Sequence, residues 1–250
     1  MLSSPVQDID IEFDHGTFDA ASFAAASLAA PETLAAVLDH TLLKPDATRA
    51  QIEALCAEAA HYRFACAMVN PAWASLAVRA LAGTGVPVGV VLGFPLGASL
   101  VSTLRQEAAA LTRLGVRELD MVLPIGALKS GNYRAVEHAI RSVASVAHRN
   151  GALLKVILET CLLNTEEKLR AAEIAIAAHA DFLKTSTGFS TGGATAADVA
   201  LLRGVAGARC GVKASGGIRT LAQARAMLEA GASRIGCSAS VAILRELGGE

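Results

Sequence analysis

The chain has 250 residues, 53% of them hydrophobic and only 4% aromatic, with a formal net charge of -1. That balance leaves no surplus of positive charge for a phosphate backbone or an anionic membrane, which excludes nucleic acid and membrane as partners. Every apolar run is cut by Gly, Ser or a charge short of the roughly 18 residues that a membrane helix needs, and the length suits one domain with one large core.

Residues 1–33 read as an N-terminal extension. It is acidic first (Asp8, Asp10, Glu12, Asp14), then Ala/Ser-rich, with Pro31 and Glu32 opening a short helix. The first Lys or Arg is Lys44, so the positive segment of a secretory signal is missing and the reading is a cytoplasmic protein. Residues 34–250 read as a single barrel domain.

From residue 37 onward, short β-branched or apolar runs alternate with helical patterns. Strands are predicted at 37–43, 64–70, 86–94, 118–124, 153–160, 182–187, 209–215 and 234–238. Helices are predicted at 49–61, 73–82, 100–114, 133–149, 166–178, 196–205 and 221–230, with Thr48, Asn132, Thr165 and Thr220 as N-caps. Gly115, Gly151, Gly207 and Gly231 fall between helix and strand, where a left-handed C-cap turns the chain back to the sheet. Eight such units predict an α/β fold, a (β/α)8 TIM barrel. A doubly wound sheet uses the same elements, but its dinucleotide fingerprint is absent after the first strand. The five cysteines are odd in number and form no C-x-x-C, so buried, reduced thiols are expected, with Cys66 a candidate to face the cavity.

Alternation along the strands separates two faces. Leu119, Met121 and Leu123 oppose Glu118, Asp120 and Val122, and Leu154, Val156 and Leu158 oppose Lys155, Ile157 and Glu159. With the apolar faces against the helices, Asp120, Lys155, Glu159, Lys184 and Lys213 point into the barrel. Such charges must pair or line a wet cavity. Lys155 and Glu159 fit an inert ion pair as well as they fit chemistry. Asp120, Lys184 and Lys213 lie toward the carboxyl ends of their strands, where barrel enzymes keep their catalytic groups.

Two lysines in one cavity have a chemical use. At ~6 Å and an effective dielectric near 20 their repulsion is ~2.8 kcal/mol, or roughly two pKa units, which brings one amine from ~10.4 toward ~8.4. A neutral amine can then add to a carbonyl and form an imine.

After the seventh strand, Ser215-Gly216-Gly217 leads into a helix, and Ser238 stands at the corresponding junction after the eighth. Glycine loops at these two positions, with a helix N-terminus, are a barrel's usual phosphate site, so Gly216, Gly217 and Ser238 are the phosphate candidates. Thr187 and Gly188 open a second glycine-rich loop that either holds substrate or only covers the cavity.

At these residues the chain resembles the deoxyribose-phosphate aldolase family. The resemblance rests on Leu38-Asp39-His40-Thr41-Leu42-Leu43, Glu118-Leu119-Asp120-Met121-Val122, Lys155-Val156-Ile157-Leu158-Glu159-Thr160, Lys184-Thr185-Ser186-Thr187-Gly188 and Lys213-Ala214-Ser215-Gly216-Gly217, in order, over residues 36–245. It implies Lys184 as the Schiff-base lysine, Lys213 as the second catalytic lysine and Asp120 as the proton-relaying aspartate. Asp39 and Thr41 become partners for Lys213 or the substrate hydroxyls. The implied reaction is reversible cleavage of 2-deoxy-D-ribose 5-phosphate to acetaldehyde and D-glyceraldehyde 3-phosphate, in deoxyribonucleoside catabolism, with no cofactor and no metal. Some family members carry a lysine where this chain has Phe189, which leaves the strength of the phosphate preference open. The partners expected are phosphorylated sugars and aldehydes, together with a second copy of the chain as a homo-dimer. Another phosphate-binding barrel aldolase or isomerase, and a non-catalytic binding barrel, remain as alternatives.

Overall fold

The computed structural model describes residues 17–249; the acidic part of the predicted extension lies outside the described residues. Eight parallel strands close a barrel in sequential order: β1 Leu38–Leu42, β2 Cys66–Val69, β3 Val88–Leu92, β4 Glu118–Val122, β5 Leu153–Ile157, β6 Phe182–Lys184, β7 Gly211–Ser215 and β8 Arg234–Cys237. Parallel neighbours require a crossover on the outside, and the chain supplies a helix after each strand. The helices are α1 Ala20–Ser27, α2 Pro31–Ala35, α3 Arg49–Tyr62, α4 Ala74–Ala80, α5 Val101–Leu114, α6 Ile125–Lys129, α7 Tyr133–Arg149, α8 Thr165–Ala177, α9 Ala196–Ala206, α10 Leu221–Glu229 and α11 Ser240–Gly248.

The α1 helix starts where Asp19 accepts from the Ser22 N–H, and α2 starts on Pro31. They lie against α10 and α11 respectively, so Ala24 and Leu34 are buried in the same core as the barrel's outer face.

Four of the eight predicted strands, those at 86–94, 118–124, 153–160 and 182–187, overran by two or three residues at their carboxyl ends, because these segments leave the ladder and enter the mouth loops while staying buried or half-buried. The α8 cap is Asn164 rather than Thr165: its Oδ1 accepts from the Glu167 N–H at 2.9 Å, and the Glu167 carboxylate accepts from the Asn164 N–H at 2.9 Å. Gly207 has a positive φ of 54° but a ψ of -133°, which is not the left-handed helical region. Gly115 is the left-handed cap expected. Neither the short α6 nor the 3-10 turn Pro71–Trp73 was predicted.

The outward residues Leu119, Met121, Leu123, Leu154, Val156 and Leu158 are buried in the main core between sheet and helices, each fully buried aliphatic stabilising by about 1.5–3 kcal/mol. Inside the barrel the two sides differ. On the β1–β3 side Leu43, Cys66, Met68 and Val91 form a separate apolar cluster capped by Phe94, so Cys66 does face inward. A Cβ on Gly89 would lie 2.4 Å from the Met68 side chain, so the glycine is what lets Met68 fill this side. The opposite side is charged. All five cysteines are free, but Cys161 is exposed, since it lies in a 3-10 turn beyond β5 rather than in the core.

Candidate active site

Seven ionisable side chains meet on the charged side: Asp39 from β1, Glu118 and Asp120 from β4, Lys155 from β5, Lys184 from β6, Lys213 from β7 and Arg234 from β8. Lys184 and Lys213 are register partners on adjacent strands, as are Asp120 and Lys155, so alternation brings all four inward together. Lys184 Nζ donates to Asp120 Oδ2 at 2.8 Å, and Lys213 Nζ donates to the same oxygen at 2.7 Å and to Asp39 Oδ2 at 2.5 Å. Lys155 Nζ donates to Asp120 Oδ1 at 2.9 Å and to Asp39 Oδ2 at 3.1 Å, and also pairs with Glu118. Arg234 closes the floor, reaching Asp39 Oδ1 and Glu118 Oε1, each at 2.5 Å. A Cβ on residue 236 would lie 2.8 Å from Lys213 Cε, so Gly236 is what leaves room for that lysine.

Three carboxylates therefore face four cationic side chains. One neutral amine leaves the cluster without net charge. Lys155 pairs with three carboxylates, and Lys213 and Arg234 with two each, whereas Lys184 pairs with Asp120 alone. Lys184 is thus the amine least repaid for losing water, and burial pushes it down to about 8, with Asp120 opposing and Lys213 adding to the fall. The value agrees with the sequence argument, but desolvation comes before the second lysine as its cause. For Lys155 burial also disfavours the charge, yet Asp120, Asp39 and Glu118 outweigh it and hold the ammonium well above its ordinary range. Burial likewise raises the Asp120 and Asp39 carboxyls, and the surrounding cations, Lys155 first, overcome it and hold both well below theirs.

Glu159 does not join this cluster, contrary to the alternation argument. The β5 strand ends at Ile157, and Glu159 adopts a left-handed conformation (φ 57°), which turns its carboxylate to the Thr187 N–H and hydroxyl. Thr41 donates to the Asp39 carbonyl at 2.8 Å, and Lys213 donates to Asp39 and Asp120 rather than to Thr41. Arg234 was not singled out from the sequence, although its alternation with Gly236 on the eighth strand could have found it.

At the carboxyl end, the β6 and β7 loops are stitched together. Ser215 Oγ donates to the Ser186 carbonyl at 2.6 Å, and the Ala194 N–H donates to the Gly216 carbonyl at 3.0 Å. Gly216 (φ 89°) and Gly217 (φ 80°) hold a turn that other residues rarely adopt. The start of α10 is already capped: Thr220 accepts from the Gln223 N–H, and Glu246 from the Leu221 N–H at 2.6 Å. The α11 helix has no side-chain cap, and Ser238 lies exposed just before it. Gly188 packs beside Gly216, and Phe189, half exposed, meets Phe94 edge-on at 5.2 Å.

Asp39, Cys66 and Glu118 bring ligand atoms within 4.8 Å of one another. Both carboxylates are already matched by Lys155 and Arg234, and burial, with Glu118 and Asp39 nearby, pushes the Cys66 thiol well above its ordinary range, so the trio does not suit a cation.

Among the described residues no helix is long and apolar enough to cross a membrane. A model of the DeoC/LacD family aldolases matches residues 11–246, beginning within the segment set apart above as an extension. The deoxyribose-phosphate aldolase of Geobacillus sp. (strain WCH70) is 54% identical over 211 residues, covering 84% of this chain and 94% of that protein. That of Listeria monocytogenes serotype 4a (strain HCC23) is 53% identical over 212 residues, covering 85% and 95%. Among solved structures, the deoxyribose phosphate aldolase from Aeropyrum pernix, described as a unique tetramer, superimposes with a TM-score of 0.85 at 34% identity, covering 92% of this chain and 97% of that one. With a closed eight-stranded barrel and a buried lysine cluster at its centre, the chain belongs to the DeoC/LacD family of aldolases.

Proposed function

We propose that this enzyme is a class I deoxyribose-phosphate aldolase with Lys184 as its covalent nucleophile. The observation that carries this reading is that Lys184, alone among the four cations of the cluster, has a single carboxylate partner and an amine brought to about 8. It is the group able to be neutral and nucleophilic near neutral pH. Its Nζ adds to the open-chain aldehyde of 2-deoxy-D-ribose 5-phosphate, water leaves, and the protonated imine withdraws the electron pair of the C2–C3 bond. The C3 hydroxyl loses its proton as D-glyceraldehyde 3-phosphate departs. The remaining enamine takes a proton at C2, and hydrolysis releases acetaldehyde and the free amine. Asp120, held ionised, orients Lys213, and the pair relays these protons through a water. Asp39 fixes Lys213 from its other side. The imine itself is the electron sink, so the scheme calls on neither metal nor cofactor.

The 5-phosphate is assigned to Gly216, Gly217 and Ser238, with Thr187 and Gly188 forming the adjoining wall. Support comes from α11, whose first turn no side chain caps and which offers N–H groups and partial positive charge to an anion, whereas α10 is satisfied by its own protein partners. Phosphorylated sugars and aldehydes are the small-molecule partners of this reading, and a cytoplasmic homo-dimer is the form proposed with it. Acetaldehyde release from the phosphorylated sugar, coupled to reduction by an alcohol dehydrogenase, tests the reading. Wild type should turn over and Lys184→Met should not. Equal rates for the two would refute it.

A further inference from the structure

Glu159 is a buried carboxylate, 2% exposed, that the reaction does not use. It is one of only three non-glycine residues with positive φ among the described residues, a conformation that raises the free energy of a residue with a Cβ and that its surroundings must hold in place. What it gains there is specific. Thr187 donates to it twice, through N–H to Oε1 at 3.2 Å and through the hydroxyl to Oε2 at 2.5 Å. The same hydroxyl then accepts from the Phe189 N–H at 3.0 Å, which closes a tight turn around Gly188 (φ 83°). The far end of this loop is fitted just as closely. A Cβ on Gly192 would lie 2.9 Å from Cys161 Cβ, two residues beyond Glu159, and one on Gly193 would lie 2.3 Å from the Gly216 carbonyl. Loop 187–193 is thus clamped between the Glu159 turn and the Gly216–Gly217 turn.

We infer that Glu159 is a positioning residue for the phosphate side of the mouth, acting through Thr187 to seat loop 187–193 against Gly216 and Gly217, and not through the amine of Lys184. Its carboxylate makes no contact with Lys155, Lys184, Lys213 or Asp120 in the hydrogen-bond and ion-pair network of the site. The inference rests on the phosphate assignment above. Its consequence is a division of effects: loosening the clamp weakens capture of the phosphorylated sugar and leaves imine chemistry with an unphosphorylated aldehyde alone.

Glu159→Gln keeps the size of the side chain but replaces one acceptor oxygen with a donor group facing Thr187. KM for 2-deoxy-D-ribose 5-phosphate should rise about tenfold, the effect of one lost charge-assisted hydrogen bond, with a smaller change in kcat. The ratio of kcat/KM for the phosphorylated sugar to that for 2-deoxyribose should fall by a similar factor, while borohydride trapping with acetaldehyde stays within about twofold of wild type. Thr187→Val should reproduce this pattern, Thr187→Ser should preserve the wild-type ratio, and Glu159→Gln should have a smaller effect in the Thr187→Val background, where only the backbone N–H bond to residue 159 is left, than in the wild type. An unchanged ratio in Glu159→Gln, or equal losses on both sugars and in trapping, would overturn the inference. A wild type that forms no imine at all would instead remove the functional reading beneath it, and the two failures are distinguishable.

Discussion

Lys184 and Lys213 donate to the same oxygen of Asp120, at 2.8 and 2.7 Å. One carboxylate oxygen therefore holds two amines within hydrogen-bond reach, one to become neutral and one to stay a proton carrier. What separates them is Asp39, which bonds Lys213 and has no bond to Lys184. Chemically identical side chains on neighbouring strands are thus given different tasks by one additional carboxylate.

Lys213→Leu removes a positive neighbour of Lys184 and frees Asp120 to favour the Lys184 ammonium. Both changes raise the Lys184 pKa above about 8. A rise of one unit lowers the neutral fraction near pH 7 by about tenfold, and loss of the relay lowers turnover by about 10²–10⁴-fold. In a pH series, imine formation by the variant should recover at alkaline pH while turnover does not. Parallel recovery of both would place Lys213 outside the proton relay.

Lys155 carries the structural load of the cluster, since it alone touches all three carboxylates. Lys155→Met leaves buried negative charge underpaid by its surroundings and should destabilise the fold by about 3–5 kcal/mol in urea denaturation. Asp120 would also gain a proton more readily. A variant with wild-type stability would show that Lys184, Lys213 and Arg234 together match the three carboxylates without Lys155.

Stability should also titrate on the acid side through His40. Its ring lies against Phe64 at 4.9 Å, Nε2–H donates to Glu58 at 2.7 Å, and Nδ1 is buried without a hydrogen-bond partner. Burial, opposed by Glu58, pushes this imidazole below its ordinary value. The unfolded chain then binds the proton more readily than the folded one, so stability is fully present above an ordinary imidazole pKa near 6.5 and falls as pH drops through the window beneath it. As pH falls below about 6.5 the wild-type stability should decline, and His40→Phe should flatten that slope. Identical slopes would assign that acid sensitivity to other groups.

The features legible in the sequence are those set by period and chemistry. Strand alternation placed Asp120, Lys155, Lys184 and Lys213 inside the barrel, and the glycine turns after β7 were visible because only glycine readily holds such φ values. Alternation failed at Glu159, where the strand had already ended and a left-handed residue reversed the side chain. It also could not show that Arg234 and Glu118 form the floor, because pairing across a barrel depends on closure and register rather than on neighbours in sequence. The capping of α10 by Glu246 is equally non-local: it joins residues 25 apart and redirects the anion argument to α11.

The central claim, a covalent imine on Lys184, is tested most directly by borohydride reduction in the presence of 2-deoxy-D-ribose 5-phosphate or acetaldehyde, followed by peptide mass mapping. The account predicts a substrate-dependent mass gain on the peptide carrying Lys184, growing with pH through about 8 as the amine becomes neutral. A folded protein with no adduct would contradict the class I mechanism, and a gain on Lys213 would contradict the division of roles between the two lysines.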